Sequence, residues 1–363
     1  MRFTNKEEDY IKQTLSLMYG PDKADDIYNK SYILKYLNMK SHAIHGNSKS
    51  RRSYGAWYSI YVLAKMYIEN GYFNKPDEYR KFEGFEYTKV FYRMRGLYGG
   101  QKLQNHALNS RTNLEFRNKV TKDESSELII NNQGSYFLNP KYIYVDGVDL
   151  TKAIVNITEK YISLLKIKDQ QLSEMLEQLE NETDVEEKRQ KIRNLISEDA
   201  EARIFEIISY AILYTKYQHC NVYFGWTEDS VKKHALDLYK TGRTNANDGG
   251  IDFVMKPVGR FFQVTEVDNY EKYLLDINKV LHFPITFVIK TLLTHEEIIS
   301  EFTEFIRDKF GGVEVVEKRY LDSIEDIITI NDLREYLDDL NIDDLNQVIS
   351  NIKKYYEYEF EIN

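Results

Sequence analysis

The chain has 363 residues, with 49 Lys/Arg against 58 Asp/Glu, a net charge of −9 and one cysteine. That length suffices for two domains with real cores, and the lone Cys220 excludes a disulfide scaffold within a monomer and fits a reducing compartment. No apolar run reaches the roughly 18 residues of a membrane span, and the opening MRFTNKEEDYIKQ lacks the features of a signal peptide, so a cytoplasmic protein without membrane partners is expected.

The first section, residues 1–150, reads as mainly helical to Tyr98, with Tyr54 to Glu69 (YGAWYSIYVLAKMYIE) as its clearest buried helix. A Gly/Asn/Gln-rich segment, GGQKLQNHALNSRTNLEFRNK, follows, and short β-like runs, ELII and YIYVDGVDL, close the section. Charge is segregated here: residues 40–122 hold 16 Lys/Arg and 6 Asp/Glu, which is +10, so the remainder carries −9 − 10 = −19. Such a surface can neutralise phosphates while the acidic remainder limits nonspecific binding. His42 and His45 are spaced H-x-x-H, yet no neighbouring Cys or second His pair completes a zinc set.

Residues 151–196 read as a helical hairpin. Ile162, Leu165, Ile167, Leu172, Met175, Leu176 and Leu179 form the stripe, Asn181 to Asp184 the break, and a charged helix the return. From residue 197 to 312 the chain reads as one core. Ile204, Ile207, Ile208, Ala211 and Ile212 have helical spacing, with Glu206 beside them; Cys220 reads as a small core residue at a strand start.

The densest signal is Thr241 to Val267, TGRTNANDGGIDFVMKPVGRFFQVTEV. Ile251 to Lys256 reads as a buried strand, Pro257 to Arg260 as a turn, and Phe261 to Val267 as the returning strand. Opposed residues of an antiparallel pair have a constant index sum. If Lys256 pairs with Phe261 the sum is 517 and Asp252 faces Thr265; if Pro257-Val258 is the loop, Lys256 pairs with Gly259, the sum is 515 and Asp252 faces Gln263. Either register predicts Asp252, Gln263 and Thr265 on one face. Asp248 reads as a turn residue before Gly249-Gly250. Asn269 to Leu281 then reads as a helix and Ile285 to Lys290 as a buried strand, while residues 313–363, with 5 basic and 14 acidic residues, read as an exposed helical tail or dimer-side element with no nucleic-acid role.

Gly-Gly-Ile-Asp followed by Gln-Val-Thr resembles the PD-(D/E)xK nuclease core of restriction endonucleases in its Mrr-like form. The resemblance covers roughly residues 200–290 and implies an α/β (α+β) fold: a mixed central sheet flanked by helices, beside the mainly helical N-terminal domain. It puts the family's acid at Asp252, its Gln/Glu position at Gln263, and the acid of the first core helix at Glu206. Thr265 stands where the family usually has lysine. Lys256 is four residues from Asp252, roughly 13 Å along a strand, so Lys240 and Lys290 are the substitutes that folding would have to bring close.

The implied activity is Mg²⁺-dependent hydrolysis of double-stranded DNA, with Asp252, Glu206, the Gln263 carboxamide oxygen and the Val264 carbonyl around the ion. A site-specific type II enzyme is expected, cutting both strands as a homodimer or by paired action of two monomers, with a palindromic site following from two-fold symmetry. DNA contacts are expected from Arg51, Arg52, Gln101, Lys102, Gln104, Asn105, Asn109, Arg111, Arg243 and Asn245, whose groups suit phosphates or base edges. No phosphate-binding glycine loop implies a nucleotide cofactor. Two other readings remain open: a DNA-binding protein with a decayed nuclease fold, and a helical assembly scaffold.

Overall fold

In a computed structural model of the chain, residues 10–41, 54–101, 103–104, 108–241, 251–265 and 270–360 are described. The chain divides into two compact units, Met1–Leu172 and Ser173–Asn363, and passes from one to the other within a single helix, Thr151–Asn181. The division therefore falls inside the expected helical hairpin, not at its start. Helix and strand are mixed in an α+β arrangement. No described helix is long and apolar enough to cross a membrane.

In the first unit, α1 (Tyr10–Tyr19), α2 (Pro21–Lys30) and α3 (Tyr32–Lys40) lead to α4 (Tyr54–Glu69). α4 is apolar nearly all round and is correspondingly buried, from Trp57 to Tyr67. There follow α5 (Pro76–Tyr79), β1 (Phe85–Glu86), α6 (Tyr87–Arg95), α7 (Ser110–Phe116), β2 (Ile129–Asn132), β3 (Ser135–Leu138), α8 (Pro140–Ile143), β4 (Tyr144–Val145), β5 (Val148–Asp149) and α9 (Thr151–Asn181). The first three strands form a sheet in the order β1-β3-β2. Buried Asn113 joins α7 to that sheet: its Oδ1 accepts from the Leu128 and Ile129 amides, each at 3.0 Å, and its Nδ2 donates to the Ile129 carbonyl at 2.8 Å.

The second unit continues with α10 (Val185–Leu195), α11 (Ala202–Gln218), β6 (Asn221–Phe224), β7 (Lys232–Ala235), β8 (Asp237–Lys240), β9 (Phe253–Lys256), β10 (Arg260–Thr265), α12 (Tyr270–Lys279), β11 (Ile285–Ile289), α13 (His295–Phe310), α14 (Glu314–Leu321), β12 (Ile324–Ile328), α15 (Ile330–Asp338) and α16 (Ile342–Phe360). Five strands form its sheet in the order β12-β11-β10-β9-β8. β8, β9 and β10 are antiparallel neighbours, whereas β10, β11 and β12 run parallel, which requires the crossovers supplied by α12 and by α13 with α14. The β9–β10 turn has the shorter of the two expected registers, since Arg260 pairs with Met255 and Phe262 with Phe253, index sum 515.

α12 and α13 cover one sheet face, where Tyr273, Phe302 and Ile298 pack on Phe261, Phe287 and Ile289. α11 covers the other: Tyr210 lies 5.2 Å from Phe253 and Tyr217 6.0 Å from Phe262, between ring centroids. Cys220 is half-buried just before β6, a strand outside the five-stranded sheet.

Residues 313–360 differ from the exposed tail that their acidity suggests. β12 is an edge of the sheet, and α16 buries Leu345, Val348, Ile349, Ile352 and Tyr356, with Tyr355 stacked edge-on against Tyr210 of α11. Their acids and carbonyls meet the charged helix α10. Lys188 donates to Asn346 at 2.6 Å, Arg189 to the Leu340 carbonyl at 2.9 Å, and Arg193 to Asp338. Opposite charge in these two segments thus serves packing within one unit.

Candidate functional site

α11 presents Phe205, Ile207, Ile208, Ala211 and Ile212 to the core and leaves Glu206 at its margin. Glu206 is held from two sides: Arg203, one turn earlier, donates at 2.7 Å, and Lys240 at the end of β8 donates to its other oxygen. Lys240 pairs with Phe253 across β8–β9, which puts it on the α11 side of the sheet. Tyr210 pins the same helix to β8 through the Leu238 carbonyl at 3.1 Å.

Asp252 precedes β9 and straddles the position opposite Gln263. Its amide donates to the Phe262 carbonyl at 2.9 Å, and its carboxylate accepts from the Val264 amide at 2.8 Å. The simple alternation expected from the hairpin is modified here, because the carboxylate is turned onto the β10 backbone. Burial, and then the negative charge of Glu206, push its pKa up to about 7; the Val264 amide, Lys240 and Lys272 act in the opposite sense. The acid is therefore coupled to groups on both helical layers.

Gln263 and Thr265 pair with Phe287 and Ile289, so they face α12 and α13. Both are buried. Gln263 Nε2 donates to the Val264 carbonyl at 3.2 Å, while its Oε1 has no hydrogen-bond partner among the described residues. Such a buried, unmatched carbonyl oxygen is costly unless something binds it. Lys272, in the first turn of α12, places its ammonium 3.5 Å from the Thr265 hydroxyl.

Of the two lysines singled out by sequence, Lys240 is brought to the acids; Lys290 sends its ammonium to the Ala200 carbonyl at 3.0 Å. Lys272 and Arg203 were not anticipated. Arg203 was legible as an i, i+3 partner of Glu206, but nothing in the sequence fixes how α12 docks against Thr265.

A magnesium ion takes oxygen ligands, keeps several waters and needs only one or two carboxylates from protein. Among the described residues no group of three or more His, Cys, Asp or Glu side chains is placed to hold a metal. The donor set here is mixed instead: the raised pKa of Asp252 beside Glu206 is what a cation would relieve, and Gln263 Oε1 is a ready neutral ligand. Asp252 with Glu206 beside it fits such an ion, whereas Gln263 faces the α12 and α13 side of the sheet. The Val264 carbonyl already accepts from Gln263, and Glu206 is engaged by Arg203 and Lys240.

Of the ten expected DNA-contacting residues, four are described. Gln101 and Gln104 are exposed, Asn109 is half-buried just before α7, and exposed Arg111 pairs with Glu115 at 3.1 Å. Lys40, in the same basic segment, also binds Glu115, at 2.6 Å. Arg51, Arg52, Lys102, Asn105, Arg243 and Asn245 lie outside the described residues, as do His42, His45 and Asp248.

No family model and no curated protein matches the chain, and no solved structure matches it either. The functional reading therefore rests on the side chains themselves.

Proposed function

We propose that the protein is a Mg²⁺-dependent endodeoxyribonuclease whose second unit is a restriction-endonuclease-like core. The observation that carries this reading is a buried acid at the start of β9 that is influenced by a second acid and by lysines from two elements. Asp252 would hold the ion, with Glu206 beside it. Bound there, the ion would supply an acidified water and a counter-charge for the phosphate.

The chain's own groups divide the remaining work. Lys272, beside the Thr265 hydroxyl at 3.5 Å and 4.0 Å from Asp276, is the cation that would replace the positive charge absent at Thr265. The Thr265 hydroxyl can orient a water or a phosphate oxygen. Within this reading, a site-specific type II enzyme acting as a homodimer on a two-fold symmetric site is the form that cuts both strands.

Incubating the protein with phage DNA and Mg²⁺ tests the proposal. Discrete fragments that disappear in Asp252→Ala are the expected result, and a smear would retain the nuclease while removing its site specificity. Intact DNA in both Mg²⁺ and Mn²⁺ would overturn it. The pairing of both Glu206 oxygens with Arg203 and Lys240 favours a second reading in that case, a DNA-binding protein on a catalytically silent nuclease fold.

A further inference from the structure

Between α11, which carries Glu206, and β8, which carries Lys240, the chain makes a detour. Among the described residues β6 and β7 pair only with each other, in the register Asn221↔Ala235 to Phe224↔Lys232, and form a two-stranded ribbon apart from the five-stranded sheet. Its exposure is unusual for its composition. Trp226 is 91% and Tyr223 73% exposed, and every residue from Trp226 to Ala235 is exposed.

The tip has a built shape. A Cβ at Gly225 would meet the Ser230 carbonyl carbon and the Val231 nitrogen at 2.6 Å, so only glycine lets the chain close. Thr227 and Ser230 then lock the turn reciprocally, by the Thr227 amide to Ser230 Oγ at 2.9 Å and the Ser230 amide to the Thr227 carbonyl at 3.0 Å. Trp226 sits edge-on to Phe224, ring centroids 5.9 Å apart. Lys232 and Lys233 stand directly across from Phe224 and Tyr223 and have no ion pair among the described residues. Glu228 and Asp229 occupy the turn and are likewise exposed.

We propose that this ribbon enters the major groove of duplex DNA and reads base edges there. The inference rests on the DNA reading given above and adds a recognition element to it. The major groove admits a two-stranded ribbon, and it displays acceptors on guanine, a donor on cytosine and a methyl group on thymine. The ribbon offers matching groups on one small element: carboxylate acceptors at the tip for the cytosine donor and aromatic surface for the thymine methyl. The mixture of signs decides among partners. A purely electrostatic contact to phosphate has no use for Glu228 and Asp229, whereas a base-reading surface uses acceptors as well as donors. The lysines, at the ribbon's sides, neutralise the flanking phosphates.

The test measures binding of the full chain to a pool of random-sequence duplexes, in metal-free buffer and again with Ca²⁺, with sequencing of the retained fraction. Lys232→Ala with Lys233→Ala is expected to weaken binding at least about tenfold and to lower the slope of log affinity against log salt by about 2. Trp226→Ala is expected to change the enriched sequence, and the melting temperature of both variants should stay at that of the wild type. Unchanged affinity in the lysine variant overturns the inference, as does a preference for single strands, which would make the ribbon a stacking platform. So does an altered oligomeric state in sedimentation, which would make it a contact between copies. Asp252-dependent cutting with ribbon-independent binding sinks the ribbon alone; ribbon-dependent binding without cutting sinks only the nuclease. Absence of DNA binding by the wild type sinks both.

Discussion

Asp252 Oδ2 lies 2.8 Å from the Val264 amide nitrogen, so the carboxylate substitutes for a missing ladder partner at the point where β9 begins. The same carboxyl is pushed up to about 7, first by burial and next by Glu206. Two consequences for pH dependence follow from the sign of that shift. A carboxyl raised in the folded state takes up a proton that the unfolded chain, with its ordinary pKa of about 4, has already released. The stability this gives is full below about pH 4 and is lost as pH rises toward 7.

Asp252→Asn removes that loss. In the absence of metal, the substitution should raise unfolding stability at pH 8 by on the order of 1–3 kcal/mol relative to wild type, with little gain at pH 4. Urea melts at the two pH values measure it. Equal effects at both would contradict the assigned titration.

Metal binding should show the opposite trend with pH. Because a divalent ion takes the ionised carboxylate, Mg²⁺ should raise the melting temperature more at pH 8 than at pH 6. Asp252→Asn should abolish the pH-dependent part. Calorimetric scans with and without Mg²⁺ give the comparison directly.

Lys272 and Lys240 should separate by their effects. Lys272 is 41% exposed, beside Thr265 and 4.0 Å from Asp276, so Lys272→Met should lower cleavage by roughly a hundredfold with a smaller loss of stability. Lys240→Met leaves Glu206 with Arg203 alone and should destabilise the fold as well, by about 1–3 kcal/mol. Rate constants for plasmid cutting and denaturant midpoints, measured on both variants, discriminate them.

Two structural substitutions test the packing of each unit by itself. Asn113→Leu strands the Leu128 and Ile129 amides, which it now satisfies, and should cost about 2–4 kcal/mol. Ile349→Ala opens a cavity under α16 and should cost about 2–5 kcal/mol. Guanidinium unfolding followed by fluorescence reports both, and a near-neutral result at either position would contradict the packing described.

The strongest sequence signals belong to elements whose pattern needs no partner to interpret. Tyr54 to Glu69 is apolar on every side, and its bounds could be read directly. The β9–β10 hairpin left two registers because turn length was the unknown; Gly259, at φ 72°, takes the conformation that closes the shorter one. β12, sequence IEDII, was hidden because it is short and half acidic. Its Asp326 is an ion-pair acceptor for Arg260 at 2.8 Å, two strands away in the sheet. Lys272 was illegible for a different reason: its role depends on how a helix docks, and side-chain type carries no record of that. Nor does the pattern record that the Asp252 carboxylate accepts from the Val264 amide.

The placement of α16 has a consequence for biosynthesis. α11, the helix that bears Glu206, packs on one side against the sheet and on the other against residues 342–360. Its aromatic surface at Tyr210 therefore lacks its final cover until translation has passed those residues. During synthesis the acid-bearing helix emerges more than a hundred residues before the segment that seats it, and the second unit is completed only once residues 342–360 have followed.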